Sequence, residues 1–135
     1  MNKKEGGMAY WQITFRLLPE IYFETVGRMA EDKLPGVLDG GIPGYLNFNL
    51  PDDYAADLSK QLPLNVASSD QMEHWGDEKS DEVKICRGDA GQIHAIEARI
   101  DARKLNDEVI SWLLNLVKRW KCVLVETTHY TVIVE

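Results

Sequence analysis

The sequence predicts a single α+β domain: a mainly antiparallel sheet of about five strands, with two or three helices packed on one face. Segments with strand-like alternation outnumber helical segments, and most follow one another through short loops, which favours hairpins over crossovers. A chain of 135 residues fits one domain better than two. Hydrophobic residues make up 44% of the chain, which is enough to build a core without disulfides or metal.

The first third of the chain contains one clear strand. Residues 10–17 alternate between apolar and polar side chains, so we expect a half-buried strand that ends at Pro19. Apolar residues at helical spacing then predict an amphipathic helix over 20–33. Residues 1–8 have charge but no apolar core, so we interpret them as a flexible leader and 9–135 as the domain.

The middle of the chain is less regular. Four glycines and two prolines in 35–44 predict a loop. A short edge strand is expected at 45–48 and a helix at 51–62, which opens with acidic residues favoured by the helix dipole. Residues 63–81 show no clear periodicity, so we predict irregular structure there.

The last third has the sharpest pattern. Residues 82–86 and 92–102 flank a glycine-containing turn and predict a hairpin, and 122–126 with 130–134 predict a second one. Between the hairpins, 106–121 carries an apolar stripe at helical spacing and ends in basic residues, as expected for an amphipathic helix.

Charge and cysteine content limit the classes of function. The chain has 22 acidic and 15 basic residues, a net charge of −7, which repels nucleic-acid phosphates and anionic membranes and suits a basic protein partner. Its two cysteines, Cys86 and Cys122, do not form a secreted disulfide framework, and no signal peptide or long apolar span is visible. We therefore expect a cytoplasmic protein that binds neither nucleic acid nor membrane.

Motifs for catalysis are weak. The sequence has no phosphate-binding loop, dinucleotide fingerprint, zinc helix or nucleophile elbow, so we predict no cofactor and no metal site. Cys86 and His94 lie across the predicted hairpin, where a neighbouring base would activate the thiol. The competing interpretation makes Cys86 a small core residue and His94 a hydrogen-bonded strand residue. His129 is a third weak candidate, in the last hairpin turn.

The segment 70–82 is the most unusual part of the chain. It contains six acids and one base, a net charge of −5, with a tryptophan in the middle. Acids can steer a basic partner while the aromatic ring anchors it, so we predict a partner-binding surface here. The alternative is a solvated loop whose tryptophan folds back into the core. The predicted binding residues are Asp70, Glu73, Trp75, Asp77, Glu78, Asp81 and Glu82.

A charged stripe follows on the second strand of the predicted hairpin. Charges alternate in sign at every second position, which places them on one face of the sheet. That face can bind a charged or zwitterionic ligand, but we favour an exposed face whose charges pair with each other. The stripe comprises Glu97, Arg99, Asp101 and Arg103.

These features favour a small acidic binding protein that engages a basic protein. In size and charge the chain resembles small intracellular domains that neutralise a cationic enzyme, such as bacterial toxin-immunity proteins, and this resemblance implies an inhibitor-like role. Two alternatives stay open. One is a small enzyme that uses His94 or His129 with nearby carboxylates. The other is a structural or regulatory subunit that forms a homodimer through exposed strand edges.

Overall fold

A computed structural model describes residues 12–22, 42, 48–77, 79–104, 107–128 and 131–134. Within these residues the chain forms one six-stranded sheet in the order β2-β3-β4-β1-β5-β6, in which every neighbouring pair is antiparallel. The α+β class and the mainly antiparallel sheet are thus confirmed. The strands are β1 (Gln12–Pro19), β2 (Met72–Gly76), β3 (Glu82–Arg87), β4 (Ile93–Asp101), β5 (Cys122–Glu126) and β6 (Thr131–Val134).

Two α-helices accompany the sheet among the described residues. Helix α1 (Tyr54–Ser59) lies within the helix predicted at 51–62, and α2 (Asp107–Arg119) within the one predicted at 106–121. A short 3₁₀ helix, Ala102–Lys104, follows β4. Residues 20–22 are also helical, directly after Pro19 as predicted.

The connection through α2 gives the fold its topology. Strands β4 and β5 are both antiparallel to β1, so they run parallel to each other with β1 between them. Two parallel strands need a crossover, and α2 supplies it. This is a split βαβ unit, extended by the β2-β3-β4 meander on one side and by the β5-β6 hairpin on the other.

The helices cover the apolar face of the sheet. Register places Ile85 opposite Ile96 and Val83 opposite Ala98, and all four side chains are buried. Helix α1 reaches this same face, because the Tyr54 hydroxyl donates a 2.7 Å hydrogen bond to Oε1 of Glu73, which is in register with Ile85. Helix α2 packs on α1 and adds its own buried stripe to the core, comprising Leu113, Leu116, Val117 and Trp120.

Burial on β1 differs from the half-buried pattern expected for it. Gln12 and Thr14 on the polar side are buried, whereas Ile13 and Phe15 on the apolar side are only half-buried. The same polar face of the sheet contains the buried carboxylates of Glu82 and Asp101. Alternation in a sequence shows which side chains are polar, but it does not show whether they face water. Here the polar side chains are buried, because other polar groups of the protein replace water as their partners.

Strand β2 corrects the prediction of irregular structure over 63–81. It pairs with β3 over its full length, from Met72 opposite Cys86 to Gly76 opposite Glu82. The strand escaped detection because Glu73 and His74 put polar side chains on both of its faces, which removes the alternation that reveals a half-buried strand.

Several predicted features lie outside the described residues. These are the leader at 1–8, the helix beyond residue 22, the loop at 35–44 except Ile42, and the strand at 45–48 except Phe48, which is in irregular structure. Glu78 and His129 also lie outside them.

Candidate functional site

The predicted acidic segment divides into exposed and internal residues. Asp70 and Asp77 are exposed at the two ends of β2, whereas Glu73 and Asp81 are half-buried. Glu82 is only 1% exposed. Among the described acids of the segment, only Asp70 and Asp77 are therefore exposed to solvent.

Trp75 lies in the core at 5% exposure. Its indole Nε1 donates a 2.8 Å hydrogen bond to Oε2 of Glu73, so this carboxylate satisfies the ring's polar atom inside the fold. The interpretation in which the tryptophan folds back into the core describes its position, although the segment around it is a strand and not a solvated loop. The aromatic anchor that we expected at the surface is not available there.

Glu73 connects β2 to α1 and β3. Its Oε1 accepts from the Tyr54 hydroxyl, and the guanidinium of Arg87 lies 3.5 Å from the same oxygen. Arg87 also stacks over the Tyr54 ring, 5.8 Å from its centroid. Burial and the bond to Glu73 raise the pKa of Tyr54, and Arg87 offsets part of that rise. Glu73 therefore acts as an internal hydrogen-bond acceptor.

Asp81 and Glu82 attach the turn that follows β2 to strand β4. Oδ1 of Asp81 accepts a 2.7 Å bond from the backbone N–H of Asp101. Glu82 lies between His74 and Arg99, with its Oε1 2.6 Å from Nε2 of His74 and its Oε2 3.1 Å from a guanidinium nitrogen of Arg99. These three side chains form a buried charged network across β2, β3 and β4.

The outer edge of β2 is covered by the chain that precedes it. The backbone N–H of Gly76 donates to the carbonyl of Pro63 at 2.8 Å, and the N–H of Asn65 donates to the carbonyl of His74 at 2.8 Å. Farther along, the N–H of Ser69 donates to the carbonyl of Met72, also at 2.8 Å. Residues 63–69 therefore follow the edge strand and satisfy its outward backbone groups.

This covering segment carries the exposed apolar residues of the region. Leu64 is 56% exposed and Val66 is fully exposed. The turn between them is fixed, because the side chain of Asn65 accepts from the N–H of Ala67 at 2.8 Å and donates to the carbonyl of Gly76 at 2.9 Å. Asp77 follows Gly76 at one end of this segment, and Asp70 follows Ser69 at the other. We call these residues the β2-edge surface: Leu64, Val66, Asp70 and Asp77.

The candidate Cys–His pair is not assembled in the hairpin. Register places Cys86 opposite Ala95 and Arg87 opposite Ile93, with an irregularity between them, so His94 is opposite neither residue. Burial and the negative charge of Glu97 raise the pKa of the Cys86 thiol, which disfavours the thiolate needed for nucleophilic attack. His94 is exposed at the surface.

The charged stripe on β4 is less exposed than expected. Asp101 is fully buried and Arg99 is only partly exposed, while Arg16 of β1 approaches Glu97 at 3.8 Å. Asp101 accepts from the guanidinium of Arg103 at 3.0 Å. Within the stripe only Asp101 and Arg103 pair, and Arg103 lies in the 3₁₀ helix rather than on the strand. Glu97 and Arg99 pair instead with residues on β1 and β3 that the sequence did not connect to the stripe.

A cleft between α1 and α2 was not anticipated from sequence. It has a volume of about 350 Å³, and its walls include Asp57, Lys60, Glu108 and Trp112. No motif reveals it, because it depends on how the two helices pack. Among the described residues no cluster of three or more His, Cys, Asp or Glu side chains is arranged to hold a metal ion.

Comparisons with protein-family models, with curated proteins and with solved structures found no match for this chain. No helix in the described part of the chain is long and apolar enough to cross a membrane. Function is therefore inferred from the geometry of the described residues.

Proposed function

We propose that this chain is a binding protein that engages a basic protein partner through the β2-edge surface. The observation that carries the proposal is the placement of two exposed aliphatic side chains, Leu64 and Val66, between two exposed carboxylates, Asp70 and Asp77. Apolar side chains at such a site lose water on contact, and flanking carboxylates steer and orient a cationic partner.

The backbone geometry favours tight recognition. Residues 63–69 are held to β2 by backbone hydrogen bonds and by the Asn65 side chain. A segment that is already ordered loses less conformational entropy when it binds than a free loop does. Leu64 and Val66 take the anchoring role that the sequence assigned to Trp75.

The class of partner follows from charge. A surface on a chain of net charge −7 attracts cationic proteins over long range and repels anionic ones. The chain resembles toxin-immunity proteins in size and charge, and this resemblance supports a cationic enzyme as the partner. In that case the chain would act as the enzyme's inhibitor.

Affinity capture from the native lysate, at low and high salt, tests the proposal with matched variants. We expect a stoichiometric basic protein that wild type retains at low salt and loses at high salt. Asp70→Lys and Asp77→Lys should abolish its retention, and Val66→Ser, which removes apolar surface without a change of charge, should accelerate its dissociation. Glu20→Lys is the control, because it makes the same change of charge beside β1, three strands away from β2.

Three results would contradict the proposal. The first is a captured protein that is acidic or neutral. The second is binding that does not depend on salt. The third is retention of the partner by all three edge variants, or its loss in Glu20→Lys, either of which would separate binding from the β2-edge surface.

A further inference from the structure

Two hydrogen bonds join residues that line the cleft between α1 and α2. In one, the side-chain amide of Gln61 donates to Oε2 of Glu108 at 3.3 Å. In the other, Nε of Arg119 donates to Oδ2 of Asp57 at 2.8 Å. The cleft volume of about 350 Å³ lies at the lower end of the range for small-molecule sites.

The wall of the cleft combines apolar and polar groups on one side of α2. Trp112 and Leu116 contribute the apolar part and are themselves nearly buried. Ser111 and Asn115 are exposed beside them, at helical spacing. A ligand in the cleft would thus meet an apolar wall with hydroxyl and amide groups next to it.

Two exposed charged side chains of opposite sign, Lys60 and Glu108, line the cleft. Lys60 is exposed and forms no ion pair with any described residue. Glu108 accepts a hydrogen bond from the neutral amide of Gln61 and forms no ion pair with a described residue. Both residues line the cleft, and Gln61, which directly follows Lys60 in the chain, bonds to Glu108. Asp57 and Arg119, by contrast, neutralise each other.

We propose that this cleft binds a free α-amino acid with an apolar side chain. The ligand's ammonium group lies against Glu108, its carboxylate lies against Lys60, and its side chain packs on Trp112 and Leu116. Asn115 and Ser111 supply hydrogen bonds to the carboxylate. This site is separate from the β2-edge surface and does not depend on the function proposed for it.

The charge balance selects a zwitterion over a simple ion. An anion would pair with Lys60 and leave Glu108 unmatched, against the repulsion of a chain with net charge −7. A cation would leave Lys60 unmatched. A zwitterion pairs with both charges, and an apolar side chain adds burial on the cleft wall.

Titration of the ¹⁵N-labelled full chain, followed by amide and indole chemical shifts, tests the site. L-leucine and L-phenylalanine should shift residues 60–61 and 108–116 and the Trp112 indole, with roughly millimolar affinity. Isocaproate lacks the ammonium group, isopentylamine lacks the carboxylate, and glycine lacks the apolar side chain. Each should bind roughly tenfold more weakly than leucine.

Variants at the two charges sharpen the test. Lys60→Gln and Glu108→Gln should each weaken leucine binding by roughly fivefold or more, without changing amide shifts outside the cleft. Lys118→Gln is the matched control, since Lys118 is exposed on the same helix but does not line the cleft. Asp77→Lys should leave leucine binding unchanged, which keeps this test independent of the proposed partner.

Either of two outcomes would overturn the proposal. One is the absence of localised shifts with leucine and phenylalanine at about 20 mM, well above the expected dissociation constant. The other is binding of isocaproate or isopentylamine as tight as that of leucine, which would make the cleft a site for a simple ion.

Discussion

At the scale of single residues, Gly76 joins three parts of the structure. It ends β2, begins the turn to β3, and bonds to the covering segment through both its N–H and its carbonyl. Its φ is +93°, a conformation that other L-residues rarely adopt, and a Cβ there would lie 2.2 Å from the carbonyl oxygen of Asp81. Both the backbone conformation and the close approach of Asp81 therefore require glycine.

Gly76→Ala should lower the free energy of unfolding by about 2 kcal/mol or more, because backbone strain and the clash with Asp81 add together. Gly91→Ala is the control. Gly91 has a similar φ of +86° but open space around its Cβ position, so we expect only the strain, about 1 kcal/mol. Urea denaturation of the two variants measures the difference, and equal losses would contradict a steric role for Asp81.

At the scale of elements, Asp57 is the main polar contact between α1 and α2. Its backbone carbonyl accepts from the indole N–H of Trp112 at 2.9 Å, and its carboxylate accepts from that of Trp120 at 3.1 Å and from Arg119. Arg119 also pairs with Asp53, the N-cap residue of α1. The predicted basic end of α2 is thus partly neutralised by acids of α1.

Electrostatics at Asp57 make this contact dependent on pH. Burial alone would raise the pKa of its carboxyl, but hydrogen bonds from Arg119 and Trp120 and the charges of Arg119 and Lys60 outweigh burial. The pKa is therefore held below its ordinary value of 3.8. A lowered carboxyl pKa stabilises the fold above the ordinary value, and this contribution is lost as the pH falls through the folded-state pKa.

Asp57→Ala should cost about 1–3 kcal/mol at neutral pH, because the buried indole N–H of Trp120 loses its acceptor. The difference from wild type should shrink in unfolding experiments as the pH falls below about 4. Asp53→Ala, which removes an exposed partner of the same arginine, should cost no more than about 0.5 kcal/mol. A similar loss in both variants, or no dependence on pH, would refute this account.

At the scale of the whole molecule, the sheet has two faces of different chemistry. One face is apolar and packs under the helices. The other carries the charged network of His74, Glu82 and Arg99, together with Arg16 and Glu97. Buried charge pairs add little net stability, because the cost of removing them from water offsets much of their attraction.

Glu82→Leu should therefore destabilise the protein by roughly 2–4 kcal/mol, since it leaves Arg99 and His74 without their shared carboxylate. Adding Arg99→Met should recover part of the loss, because the uncompensated charge is removed as well. Glu97→Leu on the same face should cost under about 1 kcal/mol, because its pair with Arg16 is partly exposed. Thermal or urea unfolding of these three variants and of Arg99→Met alone measures these terms, and additive losses from Glu82→Leu and Arg99→Met would contradict coupling in the network.

The elements that were predicted correctly from sequence are those in which buried apolar residues recur at the period of a strand or a helix. The β3–β4 and β5–β6 hairpins and helix α2 each have a regular apolar pattern, and the structure confirms them. Strand β2 does not, because His74 is buried against Glu82, eight residues away in the chain. Such a partner is known only once the register of two strands is known.

The residues of the candidate site likewise divide into those that the sequence predicted and those that depend on tertiary contacts. Residues 70–82 did contain two exposed acids, Asp70 and Asp77, at positions named from sequence. Composition could not separate them from Glu73, Trp75 and Glu82, which are drawn inward by hydrogen bonds. Leu64 and Val66 were missed, because an aliphatic residue in an irregular stretch carries no sign of whether it faces the core or solvent.

The segment over the outer edge of β2 also limits how copies of this chain can assemble. With 63–69 bonded along β2, that strand offers no template for a strand from another molecule. In the described sheet only β6 remains as an outer strand. Growth of an open-ended fibre by strand addition needs two free edges on every copy, whereas copies with one free edge stop at a pair. Self-association through this sheet would thus end at a closed dimer.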